Sequence, residues 1–99
     1  MTLSSNARTA FSGQAAPRVL HSDESMKVML VSLEPGERIA PHPEENRAVF
    51  SVLAGKGVVC TDEGDRFVEA GAVVEVPFGA VRGMRAADER LVVLATAVF

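Results

Sequence analysis

The sequence predicts an all-β domain, a sandwich or closed barrel of antiparallel strands, on three observations. Short runs rich in β-branched and large apolar residues recur about every ten residues from Met26 onward. Each run stops at Gly, Pro or Asp residues that suit tight turns. After Met26 no apolar stripe of period 3.6 continues long enough to make a helix. Regularly spaced short strands with turn residues between them are what such folds require.

The first strand is Met26–Leu33, halted at Glu34-Pro35-Gly36, where fixed and permissive φ values favour a turn. Arg38–Pro43 is extended but carries two prolines that cannot donate to a ladder, so it belongs at a sheet edge or a barrel mouth. Residues 48–54 run through Gly55-Lys56-Gly57 into 58–61, a pattern that reads as a tight hairpin. Asp62-Glu63-Gly64-Asp65 turns the chain into a short strand at 66–68, and Glu69-Ala70-Gly71 into another at 72–76. Pro77-Phe78-Gly79 makes the next corner, and Val81–Ala86 and residues 90–99 complete the series. Residues 1–25 read as an N-terminal arm, with no acidic residue before Asp23 and no continuous apolar core of the kind a secretory signal has. Residues 26–99 are the barrel domain.

Composition narrows the function classes. A chain of 99 residues has room for one core, and 47% hydrophobic with 23% charged residues is a globular balance. No apolar run approaches the ~20 residues of a membrane span. Ten basic residues are scattered among thirteen acidic ones, net −3, so no phosphate-backbone footprint is present and nucleic acid is not an expected partner. One cysteine, Cys60, permits neither an internal disulfide nor a cysteine-rich metal cluster, which fits a reducing cytoplasm.

Spacing then selects the barrel. Gly36, His42, Glu44, Ala48 and Gly55 fall at the positions of G-x5-H-x-H-x3-E-x6-G, and Gly71, Pro77, Gly79 and Arg82 at those of G-x5-P-x-G-x2-H. With both motifs in order over 26–99, the chain resembles the small single-domain cupins, or RmlC-like jelly rolls. The resemblance implies an antiparallel jelly-roll barrel around a pocket. In metal-binding cupins it also implies two histidines and a glutamate from the first motif and a histidine from the second, all around one divalent ion. Here only His42 remains of that set: Glu44, Ala48 and Arg82 stand at the other three positions, and Ala86 where an asparagine often follows. The metal site is degenerate.

Alternation along strands puts His42 and Glu44 on one face, and Arg82, Met84 and Ala86 on another, both interior if the family register holds. If a metal were bound, His42 and Glu44 would be its ligands, but two groups fall short of the three that a catalytic zinc-type site supplies. The Arg82 guanidinium would repel a cation by about 4 kcal/mol per unit charge at 4 Å and an effective dielectric near 20. No cofactor is expected, and a divalent metal is disfavoured. Two arrangements stay open. Glu44 and Arg82 pair inside the barrel and plug it, or Arg82 grips the carboxylate or phosphate of a small ligand while His42 and Glu44 complete its recognition. Phe50, Val52 and Met84 are expected as pocket walls.

Enzyme or binding module is left undecided at this level. The binding reading is a metal-free barrel holding a small organic anion. The enzyme readings are an isomerase or epimerase of the metal-independent cupin kind with His42 as general base, or a metal-dependent oxygenase with atypical ligands. Glu45, Asn46 and Arg47 read as a solvated loop. His21 reads as exposed, Cys60 as a small buried hydrophobe, and the methionines as packing residues. The nearly charge-free run after Arg90 covers the barrel or pairs with another chain, and a homodimer is expected.

Overall fold

A computed structural model describes residues 17–99, so most of the expected N-terminal arm, residues 1–16, lies outside the described residues. Nine strands follow: β1 (Arg18–Ser22), β2 (Met26–Leu33), β3 (Arg38–Pro43), β4 (Arg47–Ala54), β5 (Lys56–Thr61), β6 (Gly64–Glu69), β7 (Val73–Val76), β8 (Val81–Ala86) and β9 (Leu91–Val98). They form a five-stranded sheet in the order β1-β2-β9-β4-β7 and a four-stranded sheet in the order β3-β8-β5-β6. Every pairing is antiparallel, which makes this the all-β jelly-roll barrel the sequence predicts. No helix among the described residues is long and apolar enough to cross a membrane.

Period-two patterning builds the core. On β9, Leu91, Val93, Ala95 and Ala97 are buried while the residues between them are half-exposed, and Ala48, Phe50 and Val52 do the same on β4. Val31 and Leu33 of β2 join them, and Val59, Val68, Met84 and Ala86 face them from the second sheet. Burying each of the larger side chains contributes about 1.5–3 kcal/mol, enough to fix the register, since a one-residue slip would turn the whole set outward.

Two details differ from the sequence reading. The expected hairpin at Gly55 does not form: β4 pairs with β7 and β9, whereas β5 pairs with β6 and β8 in the other sheet. Gly55 alone separates the two strands, too short for a two-residue hairpin loop, and it serves as a corner where the chain changes sheets. Its φ is 83°, and the space a side chain would need is filled by the Arg90 carbonyl oxygen. In addition, β1 extends the first sheet at its edge, pairing Arg18 with Leu30 and Ser22 with Lys27 around a bulge. Its turn into β2 is held by Asp23, whose Oδ1 accepts from the Ser25 amide at 2.8 Å, the Ser25 hydroxyl at 2.9 Å and the Met26 amide at 2.9 Å. His21 is exposed as expected and lies 2.7 Å from the other Asp23 oxygen. Strand β9 occupies the centre of its sheet, so its inner face covers the barrel.

Candidate functional site

A cavity of about 310 Å³ lies inside the barrel, walled by β2, β4 and β9 on one side and by β3 and β8 on the other. Its apolar wall includes Met29, Val31, Ile39, Phe50, Met84 and Ala95, and its polar side chains among the described residues come from Lys27, His42, Glu44, Asn46 and Arg82. Of the expected site residues, His42, Glu44, Arg82, Phe50 and Met84 border this space. Val52 is buried in the core and does not. It lies on the same face of β4 as Phe50, farther toward the Gly55 corner, where the two sheets close on each other.

His42 is placed by a bulge in β3. Between Ile39 and His42 the pairing with β8 shifts, and the strand arches over Gly83, where an added Cβ would lie 2.7 Å from both the Ile39 carbonyl oxygen and the Pro41 nitrogen. Glycine there lets β3 come close enough to turn the imidazole to the cavity mouth. Its Nδ1 is 2.9 Å from the Ala40 carbonyl oxygen and its Nε2 is 2.8 Å from Glu44 Oε2. Both neighbours are acceptors, so a ring protonated on both nitrogens satisfies both, and a neutral ring only one. Both side chains of the pair are nearly half exposed.

Arg82 is the buried charge, only 5% exposed. Its Nη1 donates to Asn46 Oδ1 at 2.5 Å, its Nε to the Ala80 carbonyl at 3.1 Å, and its Nη2 to the carbonyls of Asn46 at 2.9 Å and Ala80 at 3.0 Å. Longer Nη2 contacts reach the carbonyls of Pro77 at 3.3 Å and Glu44 at 3.4 Å. Every nitrogen of the fork is therefore engaged, and the side chain sews the β3–β4 connection to the β7–β8 connection. Burial lowers the pKa of Arg82, and the nearby Glu44 charge acts in the opposite direction. A guanidinium stays protonated through such a shift.

The internal Glu44–Arg82 ion pair drawn from sequence does not form. The Glu44 carboxylate pairs with His42, and Arg82 meets only the Glu44 backbone carbonyl. Asn46, read as part of a solvated loop, is 8% exposed and is the side chain that receives Arg82. Two residues before the inward-facing Ala48, it shares that residue's side of the chain, which is the signal that would have found it. Cys60 is half-exposed on β5 rather than buried, 3.5 Å from Arg85 Nη1, with its thiol pKa raised chiefly by desolvation and further by Asp65.

The residues at the family's metal positions do not fit a divalent ion. His42 and Glu44 are bonded to each other, Ala48 presents a methyl group and Arg82 a cation. Among the described residues no group of three His, Cys, Asp or Glu comes together to hold a metal.

The family model described as Cupin domain matches residues 29–99. Among solved structures, a conserved protein of unknown function from Streptococcus pyogenes superposes with a TM-score of 0.76 at 23% identity, over 84% of this chain and 72% of that one. A protein from Thermus thermophilus gives 0.79 at 26% identity, over 84% and 81%. The DMSP lyase DddQ from Ruegeria pomeroyi gives 0.77 at 19% identity, over 85% of this chain but 46% of its own. Among curated proteins none matches. With two antiparallel sheets closed into a barrel, motif turns in register and a family match over most of its length, the chain belongs to the cupin family.

Proposed function

We propose that this cupin is a metal-free binding module for a small organic anion. The observation that carries the reading is the sign of the cavity. In a chain of net charge −3, the charged side chains that border the cavity among the described residues are two permanent cations, Lys27 and Arg82, and one carboxylate, Glu44, which is already paired with His42. A positive, partly desolvated pocket with apolar walls favours an anion carrying an apolar body. Its volume of about 310 Å³ is at the small end of ligand pockets, which span roughly 300–1,000 Å³.

One observation favours an enzyme as the second reading, namely the His42–Glu44 contact of 2.8 Å, the kind of carboxylate–imidazole pair that general-base catalysis uses. Against it, the other ring nitrogen faces the Ala40 carbonyl, so in this arrangement neither nitrogen points at open cavity space.

The module is proposed to act as a homodimer. The outer face of the five-stranded sheet carries Val28, Leu30, Val49, Val92 and Leu94, a contiguous apolar area in which Leu30 pairs with Leu94 and Val28 and Val49 flank Thr96.

The test is metal content of protein purified without chelator, together with thermal melts in a panel of monocarboxylates, dicarboxylates and inorganic phosphate. The reading predicts substoichiometric metal and a rise in Tm with at least one anion class. Stoichiometric divalent metal, with no anion shifting Tm, would overturn it.

A further inference from the structure

Resting on the anion-binding reading, we infer that Lys27 is the residue that recognises the ligand's charge, and that the ligand is a monoanion, a carboxylate on a compact apolar body. Arg82 has the chemistry for anion capture, but Nε, Nη1 and Nη2 all donate to the protein itself, and it holds two connections together. Releasing those bonds to grip a ligand would leave buried acceptors unsatisfied. Lys27 is in the opposite condition. It lies on the same face of β2 as Met29 and Val31, all three on the cavity wall. Among the described residues its ammonium group has neither an ion pair nor a hydrogen bond. Residues 1–16 contain no Asp or Glu to provide a carboxylate.

The neighbours of Lys27 leave it room. Across the sheet it pairs with Ala97 of β9, which in turn pairs with Ala48 of β4, so one inward row reads lysine, alanine, alanine. Ala48 stands at the motif position where the metal-binding pattern has a glutamate. Two strand spacings, about 10 Å, separate it from Lys27, a gap that two long side chains facing each other would close. Among the described residues the cavity thus holds an unpaired cation, with a methyl group where a carboxylate would have neutralised it. Met29, Phe50 and Met84 beside this row present the apolar surface for the rest of the ligand. With Arg82 engaged by the protein and Glu44 paired with His42, Lys27 is the one available charge that the described residues offer the ligand, which selects a monoanion.

The experiment is calorimetric titration of the full chain with benzoate and with the neutral benzyl alcohol, for the wild type, Lys27→Met and Lys27→Arg. Methionine keeps the length and apolar stem of lysine at a partly exposed site, so the fold is retained. Losing one charged hydrogen bond corresponds to roughly ten- to hundredfold weaker binding. The expected result is a benzoate affinity reduced by that factor in Lys27→Met and largely kept in Lys27→Arg, with benzyl alcohol bound equally by all three. Benzoate bound by Lys27→Met as well as by the wild type would overturn the role of Lys27 and leave the anion-binding cavity standing. No saturable benzoate binding to the wild type would overturn the inference, and the parent reading falls with it only if phosphate and dicarboxylates also fail to raise Tm.

Discussion

Arg82 shows how a residue at a ligand position can be turned to structure. Its surroundings, backbone carbonyls together with the Asn46 side-chain amide, are satisfied only by a planar donor fork, so Arg82→Met should lower unfolding free energy by about 3 kcal/mol, read from urea melts. Unchanged stability combined with lost anion binding would instead make Arg82 the ligand's partner. Asp23 gives a pH-dependent prediction. Its hydrogen bonds, from His21 first and then Ser25 and Met26, hold its carboxyl well below the usual carboxylate range. A depressed folded-state pKa stabilises the protein above the unfolded value, near 3.8, and that contribution disappears as pH falls from there toward the lower folded value. Asp23→Asn should therefore flatten the decline of Tm on acidification below about pH 4, and a decline as steep as that of the wild type would contradict this account. At this scale the sequence is only partly legible. It points to His42, Glu44 and Arg82 as neighbours in one cavity, but which of them pair depends on the β3 bulge and the buried Asn46. Neither follows from spacing alone.

Among the elements, the strands from Met26 onward are legible because β-branched runs and turn residues alternate so regularly. The glycines of both motifs, such as Gly36 and Gly71, do occupy turns at positive φ. The β4–β5 connection misleads because Gly55-Lys56-Gly57 has the composition of a hairpin loop, while its real role is a close approach to the Arg90 backbone from another part of the chain. Only tertiary structure reveals that contact. Gly55→Ala places a methyl group on that carbonyl at an unfavourable φ, and the expected outcome is a loss of roughly 3 kcal/mol or more, or failure to express as folded protein. Near-native stability in circular-dichroism melts would refute the corner role. Strand β1 escapes a sequence reading because an exposed edge strand lacks the inward apolar alternation of the others: all five of its residues are exposed.

For the molecule as a whole, the two sheets divide the work. The inner faces make the core and the cavity, and the outer face of the five-stranded sheet offers Leu30 and Leu94 side by side at its centre. If that face joins two copies, Leu94→Glu should convert a dimer to a monomer in analytical ultracentrifugation without lowering β-sheet content, whereas a wild-type monomer at micromolar concentration would exclude the arrangement. The cupin fold itself is legible from the motif frame, while a ligand is not written there, since a fold shared by many functions does not choose one.

The most direct test of the cationic cavity uses the methionines as reporters. Met29 and Met84 line it, and Met26 does not. In a methyl NMR titration with benzoate, the account predicts saturable shifts at Met29 and Met84 with Met26 unmoved. Shifts confined to Met26, or absent at all three, would contradict it.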